Sequence, residues 1–274
     1  MTDSAALLRA YDDQLRDLAE VPNADSVTRF GPVVFATYGT GRGFVTYRDL
    51  RGYDGDGARV DGLIEDVLAH ARGLPGLTKL EWKTRGHDRP TDLPARLVAH
   101  GFVPDPVETV MVGEASALAV DVPLPPGYRV RRITTEADLL AACETDRLVF
   151  GDNPEDTAAY VAELLARMLA DPDDFEMWVA EHEDAGADGW RIVCCGRLDP
   201  VADSDFAGIW GGGCLPEHRG RGLYRAVTAA RARAALTRGR RYIQSDCTEY
   251  SRPILARAGL VPVTTTTPYL WRRG

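Results

Sequence analysis

The sequence predicts an α/β (α+β) chain of two like domains, each a mixed, mostly antiparallel sheet flanked by helices. Three observations carry this. The 274 residues suffice for two domains of about 130. A connector, Asp121-Val122-Pro123-Leu124-Pro125-Pro126-Gly127, crowds three prolines into five residues, which forbids a helix and favours a stiff extended link. An octapeptide also recurs: Leu97-Val98-Ala99-His100-Gly101-Phe102-Val103-Pro104 matches Leu255-Ala256-Arg257-Ala258-Gly259-Leu260-Val261-Pro262 as Leu-x-x-x-Gly-apolar-Val-Pro. Domains are therefore expected at 1–120 and 128–274, the first a divergent copy of the second.

In the second half, Tyr128 to Ile133 alternates like a strand. Thr135 with Asp138 three residues on forms a helix-capping pair ahead of Leu139, Leu140 and Cys143. Asn153-Pro154-Glu155-Asp156 supplies an N-cap, a first-turn proline and acidic first-turn residues for a second helix, with Val161, Leu164, Leu165 and Met168 at helical spacing. Apolar runs at 177–180, 191–195 and 206–210 lie between Gly, Asp and Pro clusters and read as a strand meander. Leu223, Val227, Ala230 and Ala234 then form one helical stripe that ends at Gly239. A strand over 242–245, a short helix over 251–258 and a last strand over 261–271 follow. The first half ends alike, with a helix over 63–71 and a strand over 79–82 before its octapeptide.

Composition sets outer limits. With 45% hydrophobic and 27% charged residues the chain should fold on its own, and no apolar run nears the ~18 to 20 residues of a bilayer crossing. Asp3, Asp12, Asp13, Asp17 and Glu20 argue against a secretory signal, so a soluble, cytoplasmic protein without a membrane partner is expected. The net charge of −9 splits into −5 over residues 1–120 and −4 over residues 121–274, leaving no basic half to neutralise nucleic-acid phosphates. Five cysteines without a Cys-x-x-Cys spacing read as reduced core thiols, and the neighbours Cys194 and Cys195 should point to opposite faces of a strand. No metal site is expected.

The segment that carries chemistry is Gly211-Gly212-Gly213-Cys214-Leu215-Pro216-Glu217-His218-Arg219-Gly220-Arg221-Gly222-Leu223-Tyr224. A strand ends, the chain turns through glycines, and a helix begins, so first-turn amides face outward at the positive end of the helix dipole. That is an anion site, and Arg219 and Arg221 add charge to it. Other motifs are weaker. Gly39-Thr40-Gly41-Arg42-Gly43 reads as a hairpin rather than a phosphate loop, His182 between Glu181 and Glu183 as a strand-end charge cluster, and 199–205 lacks the Gly and terminal Glu of a calcium loop.

Strand, Pro, Arg-Gly-Arg-Gly, helix, strand and then Ser251-x-x-x-Leu255-x-x-x-Gly259-Leu260 together resemble the Gcn5-related N-acetyltransferase (GNAT) superfamily over 128–271. Arg219, Gly222 and Tyr224 take the places of its Arg/Gln-x-x-Gly-x-Gly/Ala motif, and the first half resembles the degenerate copy of a tandem member. The resemblance implies acetyl-CoA as cosubstrate, bound once per chain. Its pyrophosphate would lie on Arg219, Gly220, Arg221, Gly222, Leu223 and Tyr224, and its pantetheine on Cys214 and Leu215, with Ser251 also on the cofactor. It further implies that the strand before the loop splays from the next. Two departures stand out: Gly208 occupies the place of a strand glutamate that serves some members as base, and Leu255 that of a tyrosine that protonates the leaving thiolate. Asp203, Asp205, Asp246, Glu249 and Tyr250 are the substitutes, with Asp205, Glu249 and Tyr250 the catalytic candidates. In the first half the corresponding helix start is placed at 60–66, where Asp61, Glu65 and Asp66 would repel a pyrophosphate.

The acceptor is expected to be a small-molecule primary amine. Glu136, Asp138, Glu144, Asp146, Asp152, Glu155 and Asp156 gather around the first two helices of the second half, the acceptor side in the resembled family, where carboxylates would attract a cation. The rival expectation is a CoA-binding sensor or scaffold that has lost catalysis. Monomer and homodimer both remain open.

Overall fold

The computed structural model describes residues 3–39, 41–151, 153–183 and 189–274, and only the backbone of residue 156. Asp152 lies outside the described residues. The chain forms two compact units: the first takes Met1–Met111, Asp246–Pro253 and Val261–Gly274, the second Val112–Ser245 and Ile254–Leu260. The units meet between Met111 and Val112 within one strand, and the segment Val261–Gly274 returns to the first unit. The reason lies in the pairing partners described below.

In the first unit, α1 (Ser4–Gln14) starts where the Asp3 carboxylate accepts the Ala5 N–H at 3.0 Å. Strands β1 (Ser26–Phe30), β2 (Val33–Tyr38) and β3 (Arg42–Thr46) pair antiparallel in turn. The expected hairpin joins β2 to β3, with Gly41 at φ +74°. Helix α2 (Gly57–Gly73) crosses to β4 (Lys79–Arg85), which runs parallel to β3. Apolar positions of α2 at helical spacing, Val60, Ile64, Val67 and Leu68, pack with Phe35, Val45, Trp82 and Phe102 in one core. Helix α3 (Leu93–Ala99) and the short β5 (Val103–Pro104) follow, then β6 (Glu108–Glu114), whose last three residues belong to the second unit. The far edge of β4 is covered by β12 (Val261–Arg272), antiparallel from Thr266↔Arg85 to Arg272↔Lys79. Beyond it the Arg273 guanidinium donates to the carbonyls of Leu77, Ala71 and Leu74.

The second unit takes the end of β6, Val112–Glu114. Helix α4 (Ala115–Leu118) is held there by the Ala115 N–H on the Arg241 carbonyl at 2.8 Å and by the Glu114–Arg241 ion pair, and a side chain at Gly113 would strike Leu260. The remaining order is β7 (Tyr128–Arg132), α5 (Glu136–Phe150), α6 (Pro154–Ala170), β8 (Glu176–Glu183), β9 (Trp190–Pro200), β10 (Phe206–Cys214), α7 (Leu223–Thr237), β11 (Tyr242–Cys247) and α8 (Arg252–Arg257), ahead of β12. This matches the expected succession of strands and helices. Thr135 caps α5 through the Asp138 N–H at 3.2 Å. Strands β7 to β10 form an antiparallel meander, and β11 runs parallel to β10.

Helices cover both faces of this sheet. Val179, Ile192 and Cys195 pack with Leu139, Cys143 and Leu164 of α5 and α6, while Ala180, Val193 and Cys194 pack with Leu223 and Val227 of α7. Cys194 and Cys195 therefore serve opposite faces, as the strand period requires. All five cysteines are buried free thiols.

Candidate active site

The site is built where β10 loses its neighbours. Its parallel ladder with β11 runs from Phe206↔Tyr242 to Gly208↔Gln244 and goes no further among the described pairs, although the Ser245 hydroxyl still donates to the Ile209 carbonyl at 3.2 Å. On the other side the register with β9 shifts between Trp210 and Gly213. This is a β-bulge, and Gly211 takes φ +54° within it. Gly211 and Gly212 thus have no paired residue on either flank.

Neighbours crowd Gly212 and Gly213, whereas at Gly211 the positive φ is what calls for glycine. An added Cβ would lie 3.4 Å from an Asp146 carboxylate oxygen at Gly211, 2.9 Å from the Tyr224 ring at Gly212, and 2.5 Å from Val149 Cγ1 at Gly213. Helix α5 presses on one side and α7 on the other. Tyr224, which replaces the small residue of the resembled motif, lies against Gly212. Arg231 of α7, only 1% exposed, donates to the carbonyls of Arg197 (3.2 Å) and Trp210 (3.4 Å) and to Thr228 (3.1 Å). Burial pushes its pKa down.

Past the bulge, Cys214 sits opposite Cys194 and the Leu215 N–H bonds the Val193 carbonyl at 2.9 Å. In an antiparallel ladder successive residues direct their amides to opposite sides, so the Cys214 N–H points away from β9 into the splay. The Leu215 carbonyl accepts the His218 N–H at 2.9 Å. Both backbone groups of Leu215 are therefore taken, which corrects its expected role as a pantetheine partner. The Cys214 N–H is the backbone donor left on this side of β10. Its thiol is held below the usual value by the hydrogen bond with Cys194, against its own burial, with Arg219 and Arg221 assisting.

A 3₁₀ turn, Pro216–His218, leads into the loop. Gly220 (φ +74°) and Gly222 (φ +80°) occupy the left-handed region. A Cβ at Gly220 would meet open space, and one at Gly222 only Val122 at 3.8 Å, so backbone conformation rather than crowding demands glycine. Helix α7 starts without a side-chain cap, and no acceptor among the described residues takes the N–H groups of Gly220, Arg221, Gly222 or Leu223. Arg219 folds back, its Nε donating to the Cys214 carbonyl at 3.0 Å, and the exposed Arg221 lies over the Tyr128 ring at 5.8 Å and donates to the Glu217 carbonyl at 3.5 Å. Beside the loop the Tyr128 hydroxyl meets His218 Nδ1 at 2.8 Å, and the His182 ring packs on both. His182 thus belongs to an aromatic cluster that its acidic neighbours in sequence concealed.

The catalytic candidates are not all brought to this loop. Asp205 is exposed before β10, and the nine residues of that strand place it about 25 to 30 Å from Cys214 at ~3.3 Å per residue. It is excluded. Glu249, Tyr250 and Ser251 lie in the segment 246–253 of the first unit, where Tyr250 is 81% exposed and the Ser251 hydroxyl donates to the Thr248 carbonyl at 3.4 Å. Asp246 is ion-paired to Lys83 at 2.6 Å. Asp146, grouped in the sequence only with other acids, is the carboxylate at the bulge. Its signal was spacing: Asp146 and Phe150 share one face of α5, and Phe150 reaches within 3.4 Å of the Cβ position of Gly213.

The first unit closes the equivalent place. Pairing of β3 with β4 ends at Val45↔Trp82. Beyond it the Arg16 Nε donates to the Tyr47 carbonyl at 3.0 Å and the Tyr47 hydroxyl to Asp88 at 2.6 Å. Glu20 pairs with Arg85 beside them. Helix α2 begins at Gly57, not at residue 60, so Asp61, Glu65 and Asp66 lie along its body. The carboxylate that matters is Asp56, which accepts the Arg59 N–H at 3.0 Å. That helix terminus already carries its own anion.

No protein-family model matches the sequence, and no curated protein is similar to it. Solved structures do share its fold. A GCN5-related N-acetyltransferase from Kribbella flavida is similar over 100% of this chain and 97% of its own, with a TM-score of 0.70 and 17% identity. A tandem GNAT protein from the clavulanic acid biosynthesis pathway is similar over 90% and 82%, with a TM-score of 0.60 and 18% identity. A GCN5-related N-acetyltransferase from Sphaerobacter thermophilus follows over 89% and 78%, at 0.58 and 18%. The chain has the fold of the GCN5-related N-acetyltransferases. It has that fold in the tandem arrangement, which the sequence resemblance implied.

Proposed function

We propose that the chain transfers an acetyl group from acetyl-CoA to the primary amine of a small molecule by direct attack in a ternary complex, using the second unit for the cofactor. The observation that carries this is the continuous run from the splayed bulge of β10 through the left-handed glycines to the uncapped start of α7. The residues fit the cosubstrate: the amides of Gly220 to Leu223 with Arg221 suit a pyrophosphate, and the Cys214 N–H suits a pantetheine carbonyl. When bound, acetyl-CoA supplies the thioester carbon that the amine attacks. Backbone amides at the bulge would stabilise developing negative charge on an acyl oxygen. Tyr250 and Glu249 are the proposed proton carriers, and Tyr250→Phe should lower turnover with a shifted pH–rate profile.

Calorimetry should give one CoA per chain, and thiol release from acetyl-CoA should depend on added amine. Two sites per chain, or an Arg221→Glu variant that binds CoA normally, would contradict this reading. The second reading, a CoA-binding sensor or scaffold, is favoured by Gly208 and by Leu255, which is buried at 1% exposure and carries no acid. CoA binding without amine-dependent thiol release across a broad amine panel would select it.

A further inference from the structure

Helix α7 carries an arginine that packing alone does not explain. Tyr224, Thr228 and Arg231 follow one another at spacings of four and three, so they share one face of the helix. Arg231 is 1% exposed, yet no carboxylate among the described residues pairs with it. Its Nη1 donates to the carbonyls of Arg197 at 3.2 Å and Trp210 at 3.4 Å, and its Nη2 to the Thr228 hydroxyl at 3.1 Å. The Tyr224 hydroxyl is a further hydrogen-bond partner, and Nε has none. A buried cation held by neutral groups costs desolvation that an apolar side chain avoids. Other buried positions of α7 are filled by residues such as Ala226, Val227 and Ala230.

The carbonyls it holds mark the point where the ladder breaks. Trp210↔Arg197 is the last pair before the register shift and Gly213↔Cys195 the first after it, so Gly196 faces both Gly211 and Gly212. A Cβ on Gly196 would lie 2.7 Å from the Arg231 Cζ, and one on Gly212 would lie 3.3 Å from its Nη2. The guanidinium therefore fills the face that glycines of both strands leave bare, and its charge-assisted hydrogen bonds hold backbone where the ladder is interrupted. Arg231 also stands about two turns beyond Leu223, the first residue of α7. One helix thus ties the loop assigned to the pyrophosphate to the backbone assigned to the acyl oxygen.

We infer that Arg231 is a positioning residue: from α7 it sets the β10 bulge at a fixed place relative to the anion loop, so that the bulge backbone meets the thioester carbonyl of bound acetyl-CoA. This rests on the reading that the second unit holds acetyl-CoA, and the experiment keeps the two apart. Calorimetry measures CoA on the wild type, Arg231→Met, Arg231→Lys and Gly196→Ala. Carbon-13 NMR then follows acetyl-CoA labelled at the carbonyl carbon on each protein, and thermal unfolding records stability. The wild type should move the carbonyl resonance downfield of its free position, because hydrogen bonds to the oxygen polarise it. Arg231→Met should return it most of the way, and Arg231→Lys, which keeps the charge and a donor, should hold an intermediate position. All variants should bind CoA within about twofold of the wild type. Gly196→Ala keeps the arginine but crowds it off the bulge, and it should move the resonance toward the free position even if Arg231→Met does not fold. A wild-type protein that leaves the resonance at the free position overturns the inference and spares the CoA reading. So does a wild-type resonance on Gly196→Ala or on folded Arg231→Met, or a loss of CoA binding that merely tracks the melting temperature across the variants. Failure of the wild type to bind CoA overturns both.

Discussion

At Gly222 the backbone holds φ +80° in open surroundings, so a methyl there meets strain of about 1 to 3 kcal/mol rather than a clash. Gly222→Ala is expected to weaken CoA about tenfold while lowering the melting temperature by only a few degrees, a pair of effects that calorimetry and thermal unfolding read separately. Glu20 shows the opposite kind of residue. Burial alone would raise its pKa, but Arg85, Lys83 and Arg16 outweigh burial and hold it below its ordinary 4.5. Its ionised form therefore stabilises the folded state above the unfolded pKa, and that contribution is lost as pH falls through the lower folded value. Urea midpoints should be flat from neutrality to about pH 5 and drop below about pH 4, with Glu20→Gln removing this part of the drop. The anion loop was legible in the sequence because Arg-Gly-Arg-Gly before an amphipathic stripe is a local pattern. The Glu20 network was not, since its members come from residues 16, 20, 83, 85 and 88, which no spacing rule connects.

Among the elements, the closest approach at the site is α5 against β10, where Val149 stands 2.5 Å from the Cβ position of Gly213. Overpacking of this kind costs about 1 to 3 kcal/mol. Gly213→Ala should destabilise the second unit by that amount in urea, and adding Val149→Ala should recover part of the loss, a coupling that a double-mutant cycle measures. Additive effects would mean that the strand, not the helix, absorbs the methyl. Helix α5 was readable from Thr135, Asp138 and its apolar spacing. Its seating on Gly211 and Gly213 was not, because Gly-Gly-Gly in a sequence signals freedom of the backbone and gives no sign of which helix crowds it.

For the chain as a whole, the return of β12 to the first unit decides what can stand alone. Strand β12 covers β4 over seven paired positions, and Thr266, 0% exposed, donates to the Thr84 carbonyl at 3.0 Å. A chain ending at residue 260 should therefore lose the first unit, exposing the apolar edge of β4, while limited proteolysis finds the α7 region protected for longer. Resistance of residues 3–85 to protease in that truncation would refute the dependence. The octapeptide showed that the halves are alike, yet it marks a helix end and a turn, both local. Which sheet the next strand joins is a long-range choice that such a motif does not record.

The pairing of residues near 85 with residues near 266 also has a temporal side. During synthesis from the N-terminus, β4 emerges long before the strand that covers its edge, Thr266 lying 182 residues beyond Thr84. Contacts so distant in sequence form slowly even in a finished chain. The unit made first is thus completed last, and a nascent or broken chain keeps a bare sheet edge on display. A chain that stops short of residue 260 would leave that edge of β4 open to chaperones and proteases.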